Sequence, residues 1–290
     1  MIYDSLQTFL ENGQKAIAKG PVAIILVEDL VEVESTIRHH QKLDFASILV
    51  LRPAGLELPE DLSDTLHIIT WDPFEDDATE TAVNAISQAT APGTWIYYCY
   101  NAEYLMYPFM ETRSVAELLA FHTEERRHAM LTYVVDLYAK DLNQHPSGVS
   151  LEDAWFDRTG YYALAREDAA NGYARKERQL DFYGGLRWRF EEHVPYLKRT
   201  IDRISLFTSA PYLEMKSGHV FNDEEYNTYS CEWHHNLTAS IASFRAAKAL
   251  RSNPGSRDVI GNFSWHNSVK FDWNSQQLLD LGLMEPGQWF

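Results

Sequence analysis

Unbroken apolar runs of strand length alternate with amphipathic stretches through the first hundred residues. Residues 22–27 form one such run, which suits a strand buried on both faces. Residues 47–51 form a second, stopped by Arg52-Pro53-Ala54-Gly55. Residues 66–71 form a third, and residues 94–100, after the turn Pro92-Gly93, a fourth. Between them, residues 4–19, 34–43 and 77–89 carry helical spacing. The first of these ends at Gly20-Pro21, and the last turns Ala82, Ala85, Ile86 and Ala89 to one side. This alternation predicts an α/β protein built on a mostly parallel, Rossmann-like sheet with helices on both faces.

Further on, Ser114-Val115-Ala116-Glu117 has the form of a capping box and opens a helix expected to reach about Met130. Residues 131–138 read as another strand. After Asp141 the pattern is irregular, until residues 238–250 read as a second long helix. No repeat, low-complexity stretch or linker interrupts the chain. The expectation is one domain over residues 1–290, with a sheet-based half at 20–140 and a looser half at 141–290.

Composition narrows the function classes. The 290 residues are 45% hydrophobic, enough for a sizeable core, and carry a formal net charge of −17. A field of that sign repels phosphate polymers, which excludes a general nucleic-acid binder. No apolar run approaches the ~18 residues of a membrane span, and the amino-terminal stretch is amphipathic, unlike a signal peptide. Cys99 and Cys231 belong to no metal or redox motif, so two reduced thiols in a cytoplasmic protein are expected.

Ligands of parallel sheets bind beyond the carboxyl ends of the strands. Those ends are Glu28-Asp29, Arg52-Pro53, Asp72 and residues 101–103. At the fourth strand, Trp95-Ile96-Tyr97-Tyr98-Cys99-Tyr100-Asn101-Ala102-Glu103-Tyr104-Leu105 resembles a segment of one branch of the family-2 glycosyltransferases. That segment reads W, four apolar residues, then D-x-D-E-F-L. Upstream, Val27-Glu28-Asp29 followed by Thr36-Ile37-Arg38-His39-His40-Gln41-Lys42-Leu43-Asp44-Phe45 is similar to the branch's V-x-N-E … E-W-I-x-x-H-x-x-L-G-V stretch, with His40 at its recurring histidine. The resemblance covers residues 20–110 and continues more weakly to about residue 250.

The resemblance implies a GT-A-like fold with a nucleotide-sugar donor (UDP- or GDP-sugar) in the front half. A glycan or other hydroxyl acceptor would occupy the back half. In that family the D-x-D carboxylates hold Mg²⁺ or Mn²⁺ against the donor diphosphate, and a carboxylate acts as base on the acceptor. Here the matching positions are Tyr100 and Ala102, neither of which binds a hard cation, so no metal ligand is assigned. Asn101 and Glu103 leave only a weakened cation set, and the same residues also fit a plain strand-exit turn. The implied roles are Asp29 and Asp72 for the nucleoside, Asn101 and Glu103 near the diphosphate, and Glu103 or Asp153 as the catalytic carboxylate. Glu152-Asp153 followed by Asp157-Arg158 is similar to an acidic E-D-x-x-L-x-x-R signature of other family-2 enzymes, with the arginine one residue too close; a plain helix start also fits.

Residues 175–203 hold eight basic against five acidic side chains in an otherwise acidic chain. On a strand, Arg187 and Arg189 would share one face and could take over a metal's role at the diphosphate; a solvated face with structural ion pairs fits equally. His219, His234 and His235 lie close to Asp223, Glu224 and Glu225. Of these, His219 and His235 are the candidates for donor phosphates, while structural hydrogen bonding is the plainer role. No GxGxxG, GxxxxGK[ST] or GxSxG motif occurs. Three functional readings remain: a metal-free transferase, a catalytically inactive GT-A-fold binding or scaffold protein, and a metal-dependent hydrolase built on the histidine–acid cluster.

Overall fold

The computed structural model describes residues 1–63, 66–228 and 236–289. In chain order the elements are β1 (Ile2–Tyr3), α1 (Leu6–Asn12), β2 (Val22–Leu26), α2 (Val33–Lys42), β3 (Ser47–Arg52), α3 (Glu60–Ser63), β4 (His67–Thr70), α4 (Ala78–Ala89), β5 (Trp95–Tyr100), β6 (Glu103–Met106), α5 (Val115–Glu124), β7 (Ala129–Asp136), β8 (Tyr138–Ala139), β9 (Ala154–Asp157), β10 (Tyr162–Asp168), β11 (Ala174–Tyr183), α6 (Gly185–Arg189), β12 (Asp202–Thr208), β13 (Met215–Lys216), β14 (Val220–Phe221), β15 (Ala239–Ser243), α7 (Arg245–Ser252), α8 (Pro254–Arg257), β16 (Ser268–Lys270) and α9 (Ser275–Asp280). The fold is mixed α/β, and its main sheet has nine strands, most of them parallel.

Contacts divide the chain into two compact units, each discontinuous in sequence. One comprises Met1–Tyr104, Thr112–Met130 and Ile204–Asn227; the other comprises Leu105–Glu111, Leu131–Arg203 and Thr228–Phe290. In the first unit, β1, β4, β3, β2 and β5 lie side by side in that order, all parallel. Strand β2 pairs Val22 with Ser47 and Ile96, and Leu26 with Leu51 and Tyr100. Its five residues expose no surface. Burial on both faces explains the unbroken apolar run, and each large side chain so buried contributes about 1.5–3 kcal/mol. Strand β5 alternates its contacts as a period of two requires. His40 of α2 stacks on Tyr97 with ring centroids 5.2 Å apart, while Thr79 of α4 shares a 2.8 Å hydrogen bond with the Tyr100 hydroxyl.

In the second unit, β7 and β15 pair in parallel, from Ala239 opposite Thr132 to Ser243 opposite Asp136. Strands β16, β9 and β8 form a small antiparallel sheet, and β10 and β11 a hairpin whose register shifts between Ala165 and Glu167. Tyr138, Leu186, Ala247, Leu250 and Phe263 form the buried cluster that joins α6 and α7 to β8.

Four sequence expectations are corrected. Helix α1 stops at Asn12, where Gly13 leaves helical geometry and its amide donates to the Phe9 carbonyl; a 3₁₀ turn (Gln14–Ile17) follows. The capping box at Ser114 and Glu117 forms as expected, but α5 ends at Glu124. Arg126 at φ +57° turns the chain, and Met130 belongs to β7. Residues 239–243 are a strand, not the start of a helix; only Arg245–Ser252 is helical. Arg187, Trp188 and Arg189 are helical, not extended.

Candidate functional site

The chain runs from β2 out through β3 to β4, then returns to β5 on the other side of β2. The carboxyl ends of β2 and β5 therefore flank the point where the sheet order reverses, the place where open α/β sheets bind ligands. Asp29 and Asn101 meet there. The Asn101 Oδ1 accepts from the Glu28 amide at 2.9 Å, and its Nδ2 donates to Asp29 Oδ1 at 2.8 Å and to the Val31 carbonyl at 2.8 Å. Asn101 is fully buried, whereas Asp29 is half-buried and also accepts from the Val31 amide at 2.8 Å. Asn101 thus straps the β5 exit to the β2 exit and orients the Asp29 carboxylate.

The positions that match a D-x-D motif are built into the interior. The Tyr100 hydroxyl is taken by Thr79. Ala102 is fully buried at φ +61°, and its amide donates to Thr36 Oγ1 at 2.8 Å. That left-handed backbone in a residue with a Cβ costs about 1–3 kcal/mol, offset by the burial around it. Glu103 is fully buried, with Oε2 accepting from the Tyr100 amide at 3.0 Å. Tyr104 bonds Ser35 Oγ at 2.8 Å, and burial pushes its phenol upward from the ordinary value. Beneath this turn, His40 donates from Nδ1 to the Thr36 carbonyl at 2.8 Å. Burial, with His39 adding to it, lowers the His40 pKa to about 3, so the imidazole is a neutral structural group.

Asp72 lies exposed beyond β4, its Oδ1 accepting from the Phe74 amide at 2.9 Å, and Phe74 itself is exposed. Among the described residues, Arg52 Nε at the end of β3 and Trp71 Nε1 after β4 are buried donors without a hydrogen-bond partner. In the sequence Trp71 is marked only by position, one residue before Asp72 at a strand exit. His219 stands in the turn between β13 and β14 at φ +61°. It stacks on Tyr98 at 5.8 Å and shares a 3.0 Å hydrogen bond with its hydroxyl. His235, with His234 and Cys231, lies outside the described residues.

In the second unit both candidate arginines already have carboxylate partners. The Arg187 amide donates to Asp136 Oδ2 at 3.1 Å, its Nε lies 3.2 Å from Asp136 Oδ1, and its Nη1 donates to the Thr200 carbonyl at 2.9 Å. The Nε approach is at ion-pair distance without hydrogen-bond alignment, since Oδ1 accepts no hydrogen bond. Burial raises the Asp136 pKa, and the Arg187 charge opposes that rise. Arg189 grips Asp157 with two nitrogens, at 2.7 and 3.1 Å, and donates to the Phe263 carbonyl at 2.7 Å. Asp157 Oδ1 also accepts from the Tyr138 hydroxyl at 2.6 Å and Trp265 Nε1 at 2.8 Å. The helical turn sends the two arginines to different carboxylates, where a strand would have aligned them.

Asp153 precedes β9 in a turn, not a helix, and its Oδ1 holds the Trp155 indole at 2.9 Å. Asp136, marked in the sequence only as an acid ending an apolar strand, and Asp157, marked there only beside Arg158, are the partners of these arginines. Among the described residues, no group of three or more His, Cys, Asp or Glu side chains is arranged to hold a metal ion. No helix among them is long and apolar enough to cross a membrane. Compared with known protein families and with curated proteins, the chain matches none.

Proposed function

We propose that this chain is a GT-A-like protein, with helices on both faces of its sheet, that binds a UDP- or GDP-sugar at the strand exits of its first unit. It would transfer the sugar to a glycan or other hydroxyl acceptor without a D-x-D metal. The observation that carries the reading is the order of the parallel strands. It brings Asp29 to the reversal point between β2 and β5, with buried, unpartnered Arg52 Nε and Trp71 Nε1 at the neighbouring exits, among the described residues. Buried donors left unmatched cost about 1–3 kcal/mol each, which a bound acceptor atom would recover. In this reading Asp29 and Asp72 serve the nucleoside. Arg187 and Arg189 hold the second unit together, because a phosphate would have to displace buried carboxylates to reach them. Glu103 and Asp153, both engaged internally, support the turn and Trp155 and are poorly set to act as bases.

Calorimetry with UDP and GDP, with and without EDTA, tests it. Binding that survives EDTA and weakens about tenfold in Asp29→Ala is expected. No binding of either nucleotide, with or without Mn²⁺, would favour a second reading, a non-catalytic binding or scaffold protein. The burial of Ala102 and the Thr79 bond of Tyr100 favour that alternative over a metal-dependent enzyme.

A further inference from the structure

Gly160, in the second unit, adjoins two indoles. A Cβ added there would lie 3.3 Å from Trp188 Cζ3 and 3.9 Å from Trp265 Cη2, and its φ of +96° favours glycine. Beside it, Tyr162 and Tyr183 are paired across β10 and β11 with rings stacked at 5.2 Å and 17°. Trp188 meets Tyr162 edge-on, at 6.4 Å and 77°. The rings make a right-angled aromatic corner, with Trp188 packed on the Gly160 backbone. Tyr162 remains 42% and Trp188 38% exposed, so this apolar surface is open to a ligand.

Charge narrows the ligand class. The two arginines flanking Trp188 are engaged, Arg187 with Asp136 and Arg189 with Asp157, while Arg158, two residues before Gly160, is exposed. A ligand suited to the corner has a flat apolar face and neutral polar groups at its rim, as a pyranose ring does. Thr159, just before Gly160, is exposed.

We propose that the aromatic corner of Tyr162, Tyr183 and Trp188 beside Gly160 binds a neutral oligosaccharide. The stacking geometry belongs to the second unit alone, and the proposal stands whether or not the first unit binds a nucleotide-sugar. The test is calorimetry of the full chain with cellohexaose, maltohexaose, chitohexaose and a heparin hexasaccharide, with NMR observation of the Trp188 indole N–H. At least one neutral hexasaccharide should bind and shift that resonance. Trp188→Ala and Tyr162→Ala should each weaken binding about tenfold, and Trp188→Phe, which keeps a ring, by less. Circular dichroism identifies any variant that fails to fold, and Trp188→Phe then carries the comparison. The proposal is overturned if none of the neutral sugars binds, if binding is undiminished in the folded variants, or if heparin binds more tightly than all of them. UDP titration of the same protein separates the two readings. Nucleotide binding without saccharide binding removes this proposal and leaves the transferase reading, and the converse result does the opposite.

Discussion

Asn101 Nδ2 lies 2.8 Å from Asp29 Oδ1, so an amide at the end of β5 holds a carboxylate at the end of β2. Asn101→Ala would remove the hydrogen bonds that tie the half-buried Glu28 amide and Val31 carbonyl to the end of β5. A loss of about 2–4 kcal/mol is expected in urea unfolding. Asn101→Asp would set a second carboxylate against Asp29; it should be less stable than wild type at pH 7 and recover part of the loss at pH 4, as one of the pair takes a proton.

The pair of Arg189 and Asp157 is 10% and 1% exposed at the side chains, so salt should hardly weaken it. Arg189→Met leaves Asp157 buried and under-compensated, and should cost about 3–5 kcal/mol. In a double-mutant cycle with Asp157→Asn, the two losses should add to clearly more than the double variant loses. Additive losses would mean that the pair is not coupled.

Two buried histidines set an acid limit. Burial lowers the His40 pKa to about 3 and the His122 pKa to about 4, from 6.5. Their contribution is fully present above pH 6.5. It declines as pH falls toward the folded values, because the unfolded chain takes up the protons first. From pH 7 to pH 5 each should withdraw about 2 kcal/mol. Asp202 acts in the opposite sense. Burial raises its pKa from 3.8 to about 6, so its penalty on folding is relieved as pH falls through 6 toward 3.8. His122→Gln should therefore flatten the acid side of the stability profile, and Asp202→Asn should steepen it, in denaturant midpoints measured from pH 7 to pH 4.

Gly184, just before α6, and Gly172, in the turn between β10 and β11, differ in what they forbid. A Cβ at Gly184 would lie 2.1 Å from the Tyr161 ring, whereas one at Gly172 would meet nothing within 4 Å. Gly184→Ala should cost about 3 kcal/mol or more through overpacking. Gly172→Ala should cost only the backbone strain of φ +63°, about 1–2 kcal/mol. Thermal unfolding of the two variants gives the ordering directly.

Local patterning made the first hundred residues legible. Strands buried on both faces appear as apolar runs, and β2, β3, β4 and β5 fall within a residue or two of the runs that announced them. The same rule failed at Ala239–Ser243. Alanine and serine carry little periodicity, and a strand sealed on both faces looks like a small-residue helix until its pairing with β7 is known. Arg187-Trp188-Arg189 failed for a related reason. Alternation suits a strand, yet Gly185 at φ +65° starts a helical turn, and Asp136, far away in sequence, accepts the Arg187 amide.

The α/β class, the main strand exits and the helix cap at Ser114 are local properties, each set by residues within a few positions of one another. What the site residues do is set by contacts between distant parts of the chain. Asn101 and Asp29 are 72 residues apart, and Arg189 and Asp157 are 32 apart. Whether a polar side chain is open to a ligand or satisfied by the fold depends on which distant group reaches it first, and no local pattern records that. Buried polar groups must find partners, and in this chain Asn101, Arg187 and Arg189 found them within the protein.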